Sequence, residues 1–244
     1  MQGVSRTNFK SFIFTFRFNK QAITSLTLET QVEKAAEFLR QVGAISPLLA
    51  NWYLQGKSLK DSLSTNVSNN TQALIDKVKR AHDPDLPDLT EFSVWNAIQD
   101  PLEGGVAFHY SAHNLDSVSA MSFEDAGALL MKLAHPEETF TKIINLAVNI
   151  WPEIDWVTVV PANYFRKGRV FKDRQTIGWI GFCPQPLKQE DFPQAHKLVP
   201  VPDRGTIIVS CPEVMNEQNL DHFGQVGDID TKLVELGYLP LFMN

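Results

Sequence analysis

The chain of 244 residues has only two cysteines and no long apolar run. Two thiols are too few for a disulfide scaffold, so we expect a reducing, cytoplasmic setting. No stretch approaches the roughly 20 consecutive apolar residues that span a bilayer. The N-terminal region also lacks the continuous apolar segment and small-residue cleavage site of a signal peptide. We therefore expect a protein without a membrane partner.

Sequence motifs for metal, nucleotide and hydrolase sites are also missing. The chain has no Cys-x-x-Cys pair, His-Glu-x-x-His helix, acidic calcium loop, Gly-Lys-Ser/Thr loop or Gly-x-Ser-x-Gly elbow. His109 and His113 fall on one side of a predicted strand, but about 13 Å apart at the usual strand rise. Two ligands of one zinc ion lie much closer together than that. We expect no metal, no cofactor and no small-molecule substrate.

Acids outnumber bases, and the bases are densely clustered in only one segment. The formal net charge is −6, and residues 83–103 and 213–230 carry acids without any Lys or Arg. Nucleic-acid binding requires a basic footprint, so this balance argues against it and is compatible with a basic protein partner. Residues 163–174 hold the one dense basic cluster, which comprises Arg166, Lys167, Arg169, Lys172 and Arg174.

The two thiols stand in similar surroundings, because Cys183 and Cys211 each follow an apolar run and precede a proline. A catalytic cysteine needs a lowered pKa, and Glu213 close to Cys211 would oppose a thiolate. Cysteine is also among the most frequently buried residues. We interpret both Cys-Pro pairs as strand ends, since proline lacks the donor that a central strand needs.

Hydrophobic periodicity predicts helices and strands along most of the chain. Residues 11–18 place four phenylalanines on one face at period 2, with Ser11, Thr15 and Arg17 on the other. A polar loop is expected at residues 61–72, and a loop or hairpin at the basic segment. Further strands are predicted at 46–56, 91–98, 104–113, 155–165, 176–183 and 206–211. Helices are predicted at 27–43, 71–82, 136–154 and 228–239, with Gly43 ending the first and Asp228 or Asp230 capping the last.

Strands at both ends of the chain with helices between them predict an α+β fold. We expect a single domain over residues 1–244, in which helices flank a mixed, mostly antiparallel central sheet.

The C-terminal half resembles the immunity protein 52 family of bacterial polymorphic toxin systems. The resemblance rests on Gly178-Trp179 in one strand, Gly205 opening the next, Asn219 with His222, and a terminal helix at residues 230–239. The tryptophan-containing segments 50–56 and 95–98 also suit the N-terminal half of that family.

The resemblance implies a non-enzymatic antidote in the cytoplasm that binds and neutralises a cognate secreted toxin. Toxins paired with this family look like nucleases of the restriction-endonuclease fold, often delivered by type VI secretion or related systems. The acids that we predict to contribute to toxin binding are Glu213, Glu217, Asp221 and Asp228.

Two other functions stay open from the residues alone. One is a small-molecule enzyme with an unrecognised site that uses His109, His113 or Cys211. The other is an adaptor subunit of a secretion apparatus. Gene context separates the first from an antidote, and association with apparatus proteins in the absence of any toxin would identify the second.

Overall fold

The central strand carries the most concentrated aromatic pattern in the chain. The structure, a computed structural model, describes residues 12–243. β1 (Phe12–Phe18) buries Phe12, Phe14, Phe16 and Phe18 on one face, as the period-2 pattern predicts. Ser11, predicted on the other face, lies outside the described residues.

Within the described residues, nine strands form one sheet in the order β2-β3-β4-β5-β1-β6-β7-β9-β8. All eight strand pairs are antiparallel, and a single isolated bridge between Val159 and Gly178 is parallel. The predicted α+β class with a mostly antiparallel sheet is confirmed, whereas the domain bounds 1–244 stay a prediction. The strands after β1 are β2 (Tyr53–Leu54), β3 (Thr90–Trp95), β4 (Ala107–Ala112), β5 (Ala120–Glu124), β6 (Ile154–Pro161), β7 (Ile180–Cys183), β8 (Lys197–Val201) and β9 (Gly205–Val209).

Two long helices cover the aromatic face of the sheet. The Phe38 ring on α2 lies 6.2 Å from the Phe16 ring, and the Phe140 ring on α6 lies 4.8 Å from the Phe14 ring. No helix within residues 12–243 combines the length and apolar character that crossing a bilayer requires. The helices are α1 (Lys20–Thr24), α2 (Leu28–Ile45), α3 (Leu59–Ser62), α4 (Thr71–Ala81), α5 (Ala126–Lys132), α6 (Pro136–Ile150) and α7 (Leu220–Glu235).

Several predicted element bounds are wrong. α2 continues past Gly43, where the helix packs so closely on Ala50 that a Cβ would lie 2.9 Å from the Ala50 Cα. Only Tyr53–Leu54 of the predicted strand 46–56 pairs with a neighbour. The predicted loop 61–72 contains short helical turns. β5, β8 and α5 lie in segments without a clear periodic pattern, and the sequence did not indicate them.

The C-terminal helix also begins earlier than predicted. α7 starts at Leu220 with Asn219 as its N-cap, so neither Asp228 nor Asp230 caps it. The basic segment is a loop only in its second half, residues 169–174, because Tyr164–Gly168 form one turn of π-helix. Such turns are rare and often mark functional or strained positions.

Two glycines on which the family resemblance rests, Gly178 and Gly205, adopt backbone conformations that are unfavourable for residues with a Cβ. Gly178 has φ of +67°, and a Cβ there would lie 2.6 Å from the Val159 carbonyl oxygen. Gly205 has φ of +146°, and a Cβ there would overlap the Cys183 carbonyl oxygen. Glycine is therefore required where β9 starts beside the end of β7.

Replacing Gly205 by Ala is expected to destabilise the protein by about 2 kcal/mol or more, through backbone strain and the clash with Cys183. Urea unfolding followed by circular dichroism measures the loss. Gly224→Ala is the matched control, because no atom lies within 4 Å of a Cβ at that helical position. The control is expected to stabilise by about 0.5–1 kcal/mol, and equal effects of both changes would contradict the prediction.

Candidate interaction surface

The second face of the sheet is covered over its C-terminal strands only. The Trp156 indole Nε1 donates to the Thr176 carbonyl at 3.1 Å, and the Thr158 hydroxyl donates to the Ile177 carbonyl at 3.3 Å. α7 lies over the same segment, since Asp230 accepts from the Ile177 N–H at 2.9 Å. Residues 162–178 and α7 thus form a layer over β6.

The opposite half of this face remains accessible. Alternate residues of β3, β4 and β5 point away from the aromatic core, and all of them are partly or fully exposed. Apart from Trp95, His109 and the terminal acids, their side chains are small. We call this surface the open face; it comprises Glu91, Ser93, Trp95, Ala107, His109, Ser111, Ala120, Ser122 and Glu124.

Strand register aligns a polar row across the open face. Ser93 pairs with His109, His109 with Ser122, and Ser122 with Thr15 of β1. Directly opposite side chains in antiparallel strands lie about 5 Å apart, so the row is continuous. It ends at Thr158, which is buried under the layer on β6.

Acids lie at both ends of the strands that form the open face. Residues 83–131 contain nine acids and neither Lys nor Arg, and all nine acids are exposed. Among the described residues, Glu103 is the one member of this set that pairs with a lysine or arginine, through Lys132 at 2.8 Å. We call the seven acids in the flanking loops the acidic rim; they are Asp83, Asp85, Asp88 and Asp116 at one end, and Asp100, Glu103 and Asp125 at the other.

A cavity marks the boundary between the open and covered halves. A depression of about 260 Å³ is lined mainly by apolar groups that include Ile13, Trp156, Phe165 and Phe242. It adjoins a larger cavity of about 440 Å³ that reaches the Arg17–Asp155 ion pair. Arg17 is buried, donates to both Asp155 carboxylate oxygens at 2.7 and 2.9 Å, and also donates to the Leu241 carbonyl.

The four acids predicted to bind the toxin lie on the covered side, in α7 and the loop before it. Asp221 and Asp228 are exposed and share one helical face, seven residues apart. Glu213 is exposed, with a carboxylate oxygen 3.9 Å from His222 Nε2. Glu217 is half-buried and accepts hydrogen bonds from the backbone N–H groups of Asn163 and Tyr164, so its carboxylate already holds the start of the π-turn.

The basic segment lies beside these C-terminal acids. The Phe223 ring of α7 packs 4.8 Å from the Tyr164 ring. Arg166, Lys167 and Lys172 are exposed on this segment. These three bases add positive charge on the side of the sheet that carries the C-terminal acids.

Asp230 is the one acid of the 213–230 run that is fully enclosed, at 1% exposure. Burial raises the pKa of its carboxyl to about 7, against the lowering effect of the Thr176 and Ile177 hydrogen bonds and the Arg169 charge. Thr176 Oγ1 lies 2.6 Å from Asp230 Oδ2. The sequence did not distinguish this internal acid from its exposed neighbours.

Both cysteines are buried at opposite ends of their strands. β7 and β9 are antiparallel, so Cys183 lies opposite Thr206, whereas Cys211 lies beyond Val209, the partner of Ile180. Burial raises the pKa of each thiol to about 12. Because a cysteine reacts as its thiolate, these raised pKa values agree with unreactive thiols that have a structural role near the ends of β7 and β9.

Histidines and a serine on or near the open face form local hydrogen bonds. Ser93 Oγ lies 2.9 Å from His109 Nδ1, and His109 Nε2 lies 3.6 Å from a Glu91 carboxylate oxygen. In a charge-relay set the serine contacts histidine Nε2 and the acid contacts Nδ1, the reverse of this arrangement, and oxyanion donors and a substrate site are also required. None of the three residues lines the two cavities at the boundary.

His113 has a structural role at the end of β4. Its Nδ1 accepts from the Leu115 N–H at 3.3 Å, and Nε2 lies 3.2 Å from the Ser117 hydroxyl. Burial, with the charge of Lys20, lowers the pKa of His113. The ring thus orders the β4–β5 loop. Across residues 12–243, no three His, Cys, Asp or Glu side chains are grouped as a metal site would require.

An α+β scaffold with buried thiols, an accessible sheet face and exposed acids at the ends of its strands is compatible with a protein that acts by binding. The sequence model described as Immunity protein 52 matches residues 25–241, and the chain belongs to the immunity protein 52 family. Its partner is accordingly a toxin. Among proteins with curated descriptions, none matches this chain significantly.

Proposed function

We propose that this chain neutralises a secreted nuclease toxin, of a type VI secretion system or a related one, by binding to it in the cytoplasm. Family membership supports the role of antidote. The observation that favours a nuclease target is the acidic exterior, above all the nine exposed acids of residues 83–131. A nuclease presents basic surface to the phosphates of its substrate, and an acidic inhibitor is complementary to that surface.

Co-expression with the product of the neighbouring toxin gene tests this function. We expect cells that make the toxin alone to lose intact DNA and die, and cells that also make this chain to survive. The two proteins should co-purify. Death with both DNA and RNA intact would exclude a nuclease target, and death despite this chain would exclude the antidote role. Co-purification with apparatus proteins in cells without the toxin would instead identify an adaptor.

Charge reversal of the C-terminal acids is expected to weaken toxin binding modestly. Glu213→Lys, Asp221→Lys and Asp228→Lys together should raise the dissociation constant about 3-fold at low salt, mainly by slowing association. Glu217 stays unchanged in this variant because its carboxylate holds the Asn163 and Tyr164 N–H groups. Binding kinetics at 50 and 300 mM salt measure the effect, which should shrink at high salt.

An unchanged affinity and an unchanged salt dependence would show that these three acids do not contribute. A loss that persists at high salt would indicate direct contacts rather than long-range attraction. Glu217→Gln, tested separately for thermal stability, reports on the structural role of that carboxylate.

A further inference from the structure

The open face has the composition of a surface that can be covered at little entropic cost. Five of its nine positions carry side chains with few rotamers to lose, namely Ser93, Ala107, Ser111, Ala120 and Ser122. Binding here therefore immobilises little, which leaves more of the contact energy for affinity.

The acidic side chains on and beside the open face favour a partner with a basic surface. Glu91 and Glu124 lie on the open face, and the acidic rim flanks both ends of its strands. The open-face strands and the loops that join them, residues 83–131, carry acids and no Lys or Arg. The apolar cavity at the boundary with β6 adds a place for a buried anchor side chain, which often dominates an interface.

We propose that the open face and the acidic rim form the principal docking surface for the basic, substrate-binding surface of the toxin. This inference rests on the proposed function and places toxin binding on β3, β4 and β5. The C-terminal acids on the covered side then act from a distance, because the basic segment lies beside them and Glu217 is engaged internally.

Three matched charge-reversal variants test the assignment, and each replaces three exposed acids by lysine. The open-face variant changes Glu91, Asp116 and Glu124. The C-terminal variant changes Glu213, Asp221 and Asp228. The control variant changes Glu33 on α2, Asp76 on α4 and Glu190 in the turn before β8. All three shift the net charge equally, so general electrostatic attraction cancels in the comparison.

The probe is the product of the neighbouring toxin gene with its catalytic residue replaced, and affinity is measured at two salt concentrations. We expect the open-face variant to bind at least 30-fold more weakly than the unchanged chain. The C-terminal variant should lose about 3-fold and the control less than 2-fold. The open-face variant should also show the largest decrease in salt dependence, since it removes the charges nearest the partner.

A single steric variant provides a second test that does not depend on reversing acids. Ser122 lies in the middle of the polar row and is half-buried, so Ser122→Arg places bulk and positive charge at the centre of the open face. We expect at least 10-fold weaker binding with an unchanged unfolding midpoint. Ser64→Arg, at an exposed loop serine, is the control and should bind normally.

The outcomes separate this inference from the proposed function. If the unchanged chain neither binds the toxin nor protects cells, the proposed function fails. If it binds, but the folded open-face and Ser122→Arg variants retain affinity within 2-fold, the docking surface is wrong and the function stands. Equal losses in all three charge variants, or the largest loss in the C-terminal variant, would also overturn the assignment to the open face.

Discussion

Replacing Asp230 by Asn is expected to remove a contribution of about 4 kcal/mol, by which the Asp230 carboxyl lowers the free energy of unfolding as pH rises from about 4 to 7. The size follows from a folded-state pKa of about 7, compared with about 3.9 in the unfolded chain, at about 1.4 kcal/mol per pKa unit.

The direction follows from which state holds the proton. Below about pH 4 the carboxyl is protonated in both states and contributes no pH dependence. Between about pH 4 and 7 the unfolded chain releases the proton while the folded chain keeps it, so each increase in pH favours unfolding. Above about pH 7 both states are ionised and the full cost of the buried charge is present.

Asparagine preserves the shape of this site without the ionisation. Its carbonyl oxygen can accept from the Ile177 N–H, and its amide can donate to the Thr176 hydroxyl, in place of the two contacts that Asp230 makes. The free energy of unfolding should therefore differ between the two proteins by an amount that grows from pH 4 to 7. Urea unfolding across this range measures the difference.

Asp228→Asn is the matched control, because this exposed acid lies two residues earlier on the same helix. Its stability curve should run parallel to that of the unchanged protein. Parallel curves for Asp230→Asn as well would contradict the raised pKa of Asp230. A growing difference in the opposite direction would mean that the hydrogen bonds and Arg169 outweigh the burial.

Replacing Phe14 by Ala is expected to destabilise the protein by about 3–5 kcal/mol, the usual cost of deleting a buried ring without collapse of the cavity. Phe14 is fully buried on the central strand. Its ring lies 4.7 Å from Phe16, 5.3 Å from Phe123 and 4.8 Å from Phe140. These contacts join β1, β5 and α6, so local relaxation cannot fill the space.

Chemical denaturation of the Phe14→Ala variant measures the loss. Ile13→Ala is the control on the same strand, because the half-buried Ile13 faces the other side of the sheet. Its expected cost is about 1–2 kcal/mol, in line with partial burial. A cost at Phe14 no larger than that at Ile13 would show that the aromatic cluster is not the centre of the core.

Elements with a strong local pattern were predictable from the sequence. The alternating phenylalanines of β1 and the amphipathic stripe of α6 each carry a signal within a few residues. Weak signals failed. β8 is an edge strand with exposed Lys197 and Pro200, which lacks a regular apolar alternation. α7 contains Gly224 and Gly227, and because glycine disfavours a helix interior, the sequence did not predict the first two turns of this helix.

The surface was less predictable than the fold, because exposure depends on which segments pack together. Asp230 and Glu217 belong to the same acidic run as the exposed Asp221. Asp230 is nevertheless buried, and the Glu217 carboxylate accepts a hydrogen bond from the Asn163 backbone N–H at the start of the π-turn. Conversely, the acids of residues 83–131 are dispersed along the sequence, and only the pairing of β3, β4 and β5 places them around one face.

The sequence by itself determined the class of fold, the acidic character of the exterior, the aromatic core of the central strand and the resemblance to the immunity protein 52 family. These properties depend on composition and on patterns within single elements. Only the tertiary structure decided which acids are exposed to solvent, which face of the sheet is left uncovered and where the thiols lie. Those properties arise from contacts between residues far apart in the chain, which no local pattern records.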